Sequence, residues 1–220
     1  MPRTARIVAI GLPHHITHRG NNKNITFFDN EDYQKYLFFL ENYKNKYDLE
    51  IFTYSLMPNH IHFKVIPNKA DSLAKVFNYT QMCYAQHFNK KYKKIGHLWQ
   101  SRFFSCPLDK QHAYAVTKYI ELNPVTARLV EKPEQWKWSS ATDHLNTGKG
   151  LISLSPMKKI MEIQNWQEYL QQGVSTEMIE RIDSHSLSGK PLGNKKFINF
   201  LAKKCGIFIN SRPKGRPLIK

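Results

Sequence analysis

The sequence has few cysteines and no long apolar run, and each shortage excludes a class of protein. Its three cysteines (Cys83, Cys106 and Cys205) are scattered, and no two of them form a Cys-x-x-Cys pair. This pattern argues against a disulfide scaffold and indicates free thiols in a reducing cytoplasm. No apolar run approaches the roughly 20 residues that span a bilayer, and no signal-peptide apolar stretch follows the basic start. We therefore expect a cytoplasmic protein without a membrane partner.

Acidic residues are also scarce, which leaves a large excess of positive charge. Lysine and arginine total 33 against 17 aspartates and glutamates, so the formal net charge is +16. A chain this basic without a membrane signal most often binds a polyanion, and nucleic acid is the leading candidate. The alternative is an ordinary soluble protein with a basic surface.

Two histidines lie two positions apart inside a β-branched and aromatic run, His60-Ile61-His62-Phe63-Lys64-Val65. In a strand successive side chains point to opposite faces, so His60 and His62 share one face. Their Cα atoms would then be about 6.5–7 Å apart, which allows both imidazoles to converge on one cation. A catalytic metal usually needs a third protein ligand. The alternative is a pair of half-exposed polar residues on a solvated face.

Hydrophobic periodicity predicts an α+β domain followed by a helical region. The predicted strands cover residues 13–19, 49–57, 60–66 and 100–108, and the predicted helices cover residues 30–47, 71–92 and 110–123. This order favours a sandwich in which helices cover one face of an antiparallel sheet. Pro124 should end the third helix, because the residue before a proline avoids the α region. Further helices are predicted near residues 157–171, 176–184 and 193–205. We divide the chain at residues 1–147, 148–210 (helical) and 211–220 (basic tail).

The helix at residues 110–123 carries Tyr119 and Asn123 on one face, four residues apart. A tyrosine hydroxyl can attack a phosphodiester and hold the phosphate as a covalent ester. Its ordinary pKa is about 10, so it needs help from a cation or a base. The amide oxygen of Asn123 could be the third ligand beside the two histidines. Alternatively, Tyr119 packs in the core and Asn123 caps the helix end.

Three motifs in this order resemble the REP-associated tyrosine transposases, which are relatives of the single-tyrosine HUH transposases. They are Leu56-Met57-Pro58-Asn59-His60-Ile61-His62, Gly96-His97-Leu98-Trp99-Gln100-Ser101-Arg102-Phe103 and Tyr119-Ile120-Glu121-Leu122-Asn123-Pro124-Val125-Thr126-Ala127. Residues 15–22 and 136–140 resemble the first strand and loop of that family and its segment after the catalytic helix. Residues 189–193 and 214–217 resemble its C-terminal region.

The resemblance implies a ferredoxin-like fold, a HUH transposase-like catalytic domain at residues 1–147 and a site for Mg²⁺ or Mn²⁺. His60 and His62 match the metal ligands of the family. Tyr119 matches its nucleophile, which forms a 5′-phosphotyrosine and frees a 3′-OH. Asn123 matches a polar residue one turn later. The implied partner is single-stranded DNA with hairpin-forming palindromic repeats. This partner would place the protein at the nucleoid. The resemblance allows either a monomer or a homodimer.

Nine residues are predicted to contact this DNA. Those of the first strand and its loop are Thr17, Arg19, Asn21 and Asn22; those of the basic connector are Lys94 and Arg102; those of the tail are Arg212, Lys214 and Arg216. The loop residues could instead serve ordinary turn chemistry, and the tail could be a solvated end. One departure from the family is His18, which stands where a smaller polar residue such as asparagine is expected.

Two rival functions follow from the same residues. A non-catalytic regulator derived from a transposase would bind hairpin DNA or RNA without forming a covalent adduct. A metal-dependent hydrolase would use activated water, so its nicking would survive the loss of Tyr119 but not the loss of His60.

Overall fold

The sheet is built around the hairpin that carries the two histidines. A computed structural model of the chain describes residues 6–148 and 150–206. The strands are β1 (His14–Arg19), β2 (Leu49–Met57), β3 (His60–Pro67) and β4 (Phe104–Pro107). The helices are α1 (Asn30–Lys46), α2 (Ser72–Lys91), α3 (Lys110–Thr126), α4 (Ala141–His144), α5 (Trp166–Gln171), α6 (Thr176–Ser188) and α7 (Lys195–Cys205). The predicted tail contacts Arg212, Lys214 and Arg216 lie outside the described residues.

The four strands form one antiparallel sheet in the order β2-β3-β1-β4. The α+β class and the antiparallel sheet predicted from the sequence are therefore confirmed. In the β1–β3 register Thr17 pairs with His62, and Arg19 pairs with His60. Paired residues of neighbouring strands point to the same face of the sheet, so these four side chains share one face.

The opposite face is apolar and packs against α1 and α2. Ile61, Phe63 and Val65 of β3 are fully buried there, together with Tyr36 of α1 and Phe77 of α2. Rings of neighbouring elements meet in this core, for example Phe63 and Phe77 with centroids 5.6 Å apart. Burying an aromatic side chain of this size contributes about 1.5–3 kcal/mol.

Helices cover both faces of the sheet, so the expectation that they cover only one face is corrected. Lys64 of β3, on the histidine face, is fully buried and donates to the hydroxyl of Thr117 on α3. α6 contacts β1 and β4. A second apolar cluster joins this side of the sheet to the C-terminal elements through Cys106, Leu108, Ala113, Val116, Ile120, Met161, Ile182 and Leu192. Periodicity identifies the apolar stripe of a helix but not the sheet face that the stripe meets.

Several predicted boundaries were wrong. α3 continues through Pro124 to Thr126, because a proline in the last turn removes one backbone donor while the amide of Ala127 still bonds to the carbonyl of Asn123. The helix predicted at 157–171 is a 3-10 turn followed by the short α5. β4 is shorter than its predicted span because residues 98–100 form separate bonds to Arg19 and Asn21. Among the described residues, no helix is both long and apolar enough to cross a membrane.

His14 links β1 to the segment before it, and this link makes the fold sensitive to acid. Its Nδ1 donates to the carbonyl of Leu12 (2.8 Å), and its Nε2 accepts from the amide of Ala9 (3.1 Å). The ring is fully buried, and this burial lowers the pKa of His14 to about 4, although the carbonyls of Leu12 and Ile7 oppose the shift. A second proton would have to displace the Ala9 bond, so the folded state holds the ring neutral.

We therefore expect His14→Gln to reduce the acid sensitivity of the protein. The unfolded chain takes up the proton near pH 6.5 and the folded chain only near pH 4, so stability is lost as pH falls through this window. Between pH 7 and pH 5 this histidine should account for about 2 kcal/mol of the loss. Urea unfolding at both pH values measures it, with the exposed-histidine variant His97→Gln as control. Equal losses in the two variants would contradict the prediction.

Candidate functional site

The predicted nucleophile and the histidine pair meet where α3 crosses the polar face of the sheet. The ring centroids of His60 and His62 are 4.9 Å apart, and the ring of Tyr119 lies edge-on to His62 at 5.4 Å. The strand period places the histidines side by side, and α3 brings Tyr119 against His62. Residues 57 positions apart in sequence therefore share one site.

A chain of hydrogen bonds through His15 and Ser186 orients the ring of His62. Its Nδ1 lies 3.0 Å from Nε2 of His15, and Nδ1 of His15 lies 2.8 Å from the hydroxyl of Ser186 on α6. One proton arrangement suits a metal ligand: His62 donates to His15, and His15 donates to Ser186. Nε2 of His62 then keeps a free lone pair, as a metal-ligating histidine requires.

His60 is oriented in a similar way by its neighbour in the hairpin turn. Nδ1 of His60 donates to the amide oxygen of Asn59 at 2.6 Å, which leaves Nε2 unprotonated. Burial, with a smaller effect of the Arg19 charge, lowers the pKa of His60 to about 4. Burial likewise lowers the pKa of His62 well below its usual value. Both rings are therefore neutral near pH 7, the form that binds metals.

The Nε2 atom of His62 is suited to bind a divalent cation. Nε2 of His62 is buried and has no hydrogen-bond partner among the residues that the structure describes. An unsatisfied buried polar atom costs about 1–3 kcal/mol, and a bound cation would remove that cost. Within residues 6–148 and 150–206, no three His, Cys, Asp or Glu side chains cluster as a metal site. Asn123, the predicted third ligand, lies one turn after Tyr119 on α3.

The hydroxyl of Tyr119 is held by a carboxylate. It donates to Oδ1 of Asp183 on α6 at 2.7 Å. Burial, and then this hydrogen bond and the charge of Asp183, raise the pKa of Tyr119 above its usual value, while Asn123 and Arg19 lower it by smaller amounts. The phenol is therefore neutral in this arrangement, and its oxygen must lose a proton before or during an attack.

The predicted DNA contacts of β1 and its loop lie beside this site. Thr17 is half-buried and pairs with His62, while the exposed Arg19 pairs with His60 at the end of the strand. Asn21 and Asn22 follow in a 3-10 turn. The amide of Asn21 bonds to the carbonyl of Leu98 (2.8 Å), so the loop and the connector that leads to Arg102 lie together.

Lys94 and His18 have other surroundings. Lys94 follows the end of α2, and its ammonium lies 4.8 Å from the centroid of the Phe28 ring. His18 is buried on the apolar side of β1, where it stacks on Trp99 at 4.7 Å and bonds to the carbonyl of Ser101. The buried ring of His18, the residue expected to be smaller in this family, therefore holds the connector in place.

Three residues of the site were missed in the sequence: His15, Asp183 and Ser186. His15 could have been found, since the period of two puts it on the same face of β1 as Thr17 and Arg19. Asp183 and Ser186 lie on a helix 64 or more positions from the groups they contact. No local pattern links positions so far apart.

The chain is similar to a known protein family and to solved structures. The family model described as "Transposase IS200 like" matches residues 10–123. The structure of a REP-associated tyrosine transposase bound to a REP hairpin aligns with a TM-score of 0.54 and 17% identity, over 74% of this chain and 96% of that one. A proposed transposase from Deinococcus radiodurans aligns with a TM-score of 0.38 and 15% identity, over 55% and 96% of the two chains. No curated protein sequence matches this chain.

The hairpin-bound structure supports the fold, and the family match also covers the predicted site residues. At 17% identity the likeness to the hairpin-bound enzyme indicates a shared fold alone. The family match spans β1 to Asn123, and it includes both histidines and Tyr119.

The hydrogen-bond chain beneath His62 predicts a measurable effect on metal affinity. Ser186→Ala should weaken Mn²⁺ binding about tenfold, because His15 would lose the partner that fixes its ring under His62. Isothermal titration with Mn²⁺ measures the affinity. Ser184→Ala, at an exposed serine of the same helix, is the matched control. Equal affinities in the two variants would show that the contact between Ser186 and His15 does not affect metal binding.

Proposed function

The chain belongs to the IS200-like transposase family, and on that premise we propose that it cuts and rejoins single-stranded DNA through Tyr119. The observation that carries the proposal is the position of this tyrosine against His62, whose buried Nε2 has no hydrogen-bond partner in the described part of the chain. A tyrosine with a purely structural role would not require a neutral histidine beside it whose ring nitrogen has no partner among the described residues. The net charge of +16 suits a polyanionic substrate.

We propose that the Nε2 atoms of His60 and His62 and the amide oxygen of Asn123 hold Mg²⁺ or Mn²⁺. When bound, the cation would polarise a phosphate oxygen and neutralise charge that develops on it. The remaining chemistry is carried by the protein. The oxygen of Tyr119 attacks the phosphorus, the 3′-oxygen leaves, and the DNA 5′-phosphate stays on the tyrosine. Because the ester conserves the energy of the broken bond, the 3′-OH can attack it in the reverse direction without a nucleotide cofactor.

The substrate that we propose is single-stranded DNA with hairpin-forming palindromic repeats. The likeness to an enzyme solved with a REP hairpin motivates this choice. Arg19 and Thr17 would hold the strand near the histidines, and the loop at Asn21 and Asn22 would contact bases or phosphates beside them. The remaining predicted contacts would hold the backbone farther from the site: Lys94, Arg102, Arg212, Lys214 and Arg216.

Tyr119→Phe should abolish the covalent protein–DNA adduct and leave hairpin affinity unchanged, because only the attacking oxygen is removed. Adduct is measured by gel shift under denaturing conditions with labelled hairpin DNA and Mn²⁺. Tyr79→Phe, at an exposed tyrosine of α2, is the control and should retain full adduct formation.

The same assay separates the rival functions. Nicking that persists in Tyr119→Phe but is lost in His60→Ala would indicate a hydrolase that activates water. Hairpin binding without adduct in the unmodified protein, with either metal, would indicate a non-catalytic regulator.

Arg19→Ala should weaken DNA binding in a salt-dependent manner. Removing one phosphate contact should reduce the slope of log affinity against log salt by about 0.7 for a single strand. Fluorescence anisotropy between 50 and 200 mM salt, roughly the range in which counterion release is measured, gives the slope. Lys46→Ala, an equal charge change at the exposed end of α1 on the other side of the sheet, is the control. The same slope in both variants would remove Arg19 from the DNA contacts.

A further inference from the structure

Helix α6 lies outside the part of the chain that matches the family, yet it contacts the site at two points. The match ends at residue 123, and α6 spans Thr176–Ser188. Asp183 accepts the hydrogen bond of the Tyr119 hydroxyl, and the hydroxyl of Ser186 meets Nδ1 of His15. Residues three apart lie on the same face of a helix. A single face of α6 therefore contacts both Tyr119 and His15, the residue that orients His62.

α6 is firmly placed, so the position of Asp183 does not depend on a loose loop. Ile182 is fully buried in the apolar cluster beside α3, and Ser186 is also buried. A guanidinium nitrogen of Arg181 lies 3.2 Å from Nε2 of His112, near the start of α3. The hydroxyl of Ser175 caps the first turn of the helix, and Gly189 ends it with φ 67°. These contacts hold the backbone on both sides of Asp183.

We propose that Asp183 is a catalytic residue that takes the proton of Tyr119 during DNA cleavage and returns it during rejoining. This inference rests on the proposed function. A carboxylate 2.7 Å from a hydroxyl is within the distance required of a general base. Asp183 is exposed, so the proton can also pass from it to water.

The step balances in both directions. As the Tyr119 oxygen forms its bond to phosphorus, its proton moves to the Asp183 carboxylate. The bond from phosphorus to the 3′-oxygen breaks, and water supplies the proton that completes the 3′-OH. In rejoining, the 3′-OH attacks the phosphotyrosine and releases its proton to water. The departing tyrosine oxygen recovers its proton from Asp183.

The test compares Asp183→Asn with Glu180→Gln in the full-length protein. Both changes remove one negative charge from an exposed position of α6. Unlike Asp183, Glu180 makes no side-chain hydrogen bond or ion pair within the described residues. An asparagine oxygen can still accept the hydrogen bond of Tyr119 and cannot take its proton. Single-turnover adduct formation on a labelled hairpin with Mn²⁺ should fall about 100-fold in Asp183→Asn, the lower end of the usual effect of a general base.

Two further measurements separate catalysis from structure. Hairpin affinity by anisotropy and the thermal unfolding midpoint should match those of Glu180→Gln. Asp183→Glu should recover part of the rate, because it restores a carboxylate on the same helix. A rate in Asp183→Asn equal to that of Glu180→Gln would overturn the proposal. A faster rate would also overturn it, and would identify the contact as a lock on the nucleophile.

Failure of this inference is distinguishable from failure of the proposed function. If the unmodified protein forms no adduct that depends on Tyr119, the transposase chemistry itself is wrong. If it forms the adduct and Asp183→Asn forms it equally fast, only the role of Asp183 is wrong.

Discussion

The structure depends on the burial of a polar face of the sheet. β1 and β3 place His15, His62 and Lys64 on one side, and each of these side chains is at least nine-tenths buried. Buried polar groups are costly unless they find partners. Those partners come from elements far along the chain, Thr117 on α3 and Ser186 on α6. Together with the apolar cluster around Val116 and Ile182, these contacts hold α3 and α6 on this face. The positions of the two helices bring Tyr119 and Asp183 to the histidines.

Lys64 shows how strict this constraint is. Its ammonium lies among the Thr117 hydroxyl and the sulfur atoms of Met157 and Met161, at 3.5 and 3.7 Å from the two sulfurs. Burial lowers the pKa of Lys64 to about 7, and only the Glu121 carboxylate opposes the shift. A charged ammonium in such a place costs stability, which is why burial lowers this pKa. The Lys64 side chain joins β3 to α3 and to the segment before α5, on the same face of the sheet as His62.

Much of the fold and part of the site could be predicted from local patterns. The alternation in β3 predicted that His60 and His62 share a face, and helical spacing predicted the span of α1 within one residue at its end. The span of α3 was wrong at Pro124, and β4 begins at Phe104 rather than at residue 100. Periodicity could not show either feature. A proline in the last turn of α3 does not end the helix, and residues 98–100 bond to Arg19 and Asn21 instead of extending β4.

The sequence by itself determined the antiparallel α+β class, the polar face with its histidine pair, and the helix that carries Tyr119. These features follow from side-chain periods of two and 3.6 residues, which act over short distances in the chain. Tertiary structure alone decided that helices cover both faces, that His15 supports His62, and that Asp183 meets Tyr119. These contacts join residues 47 and 64 positions apart. They arise from packing and from the pairing of buried polar groups, which act through space and leave no periodic signal in the sequence.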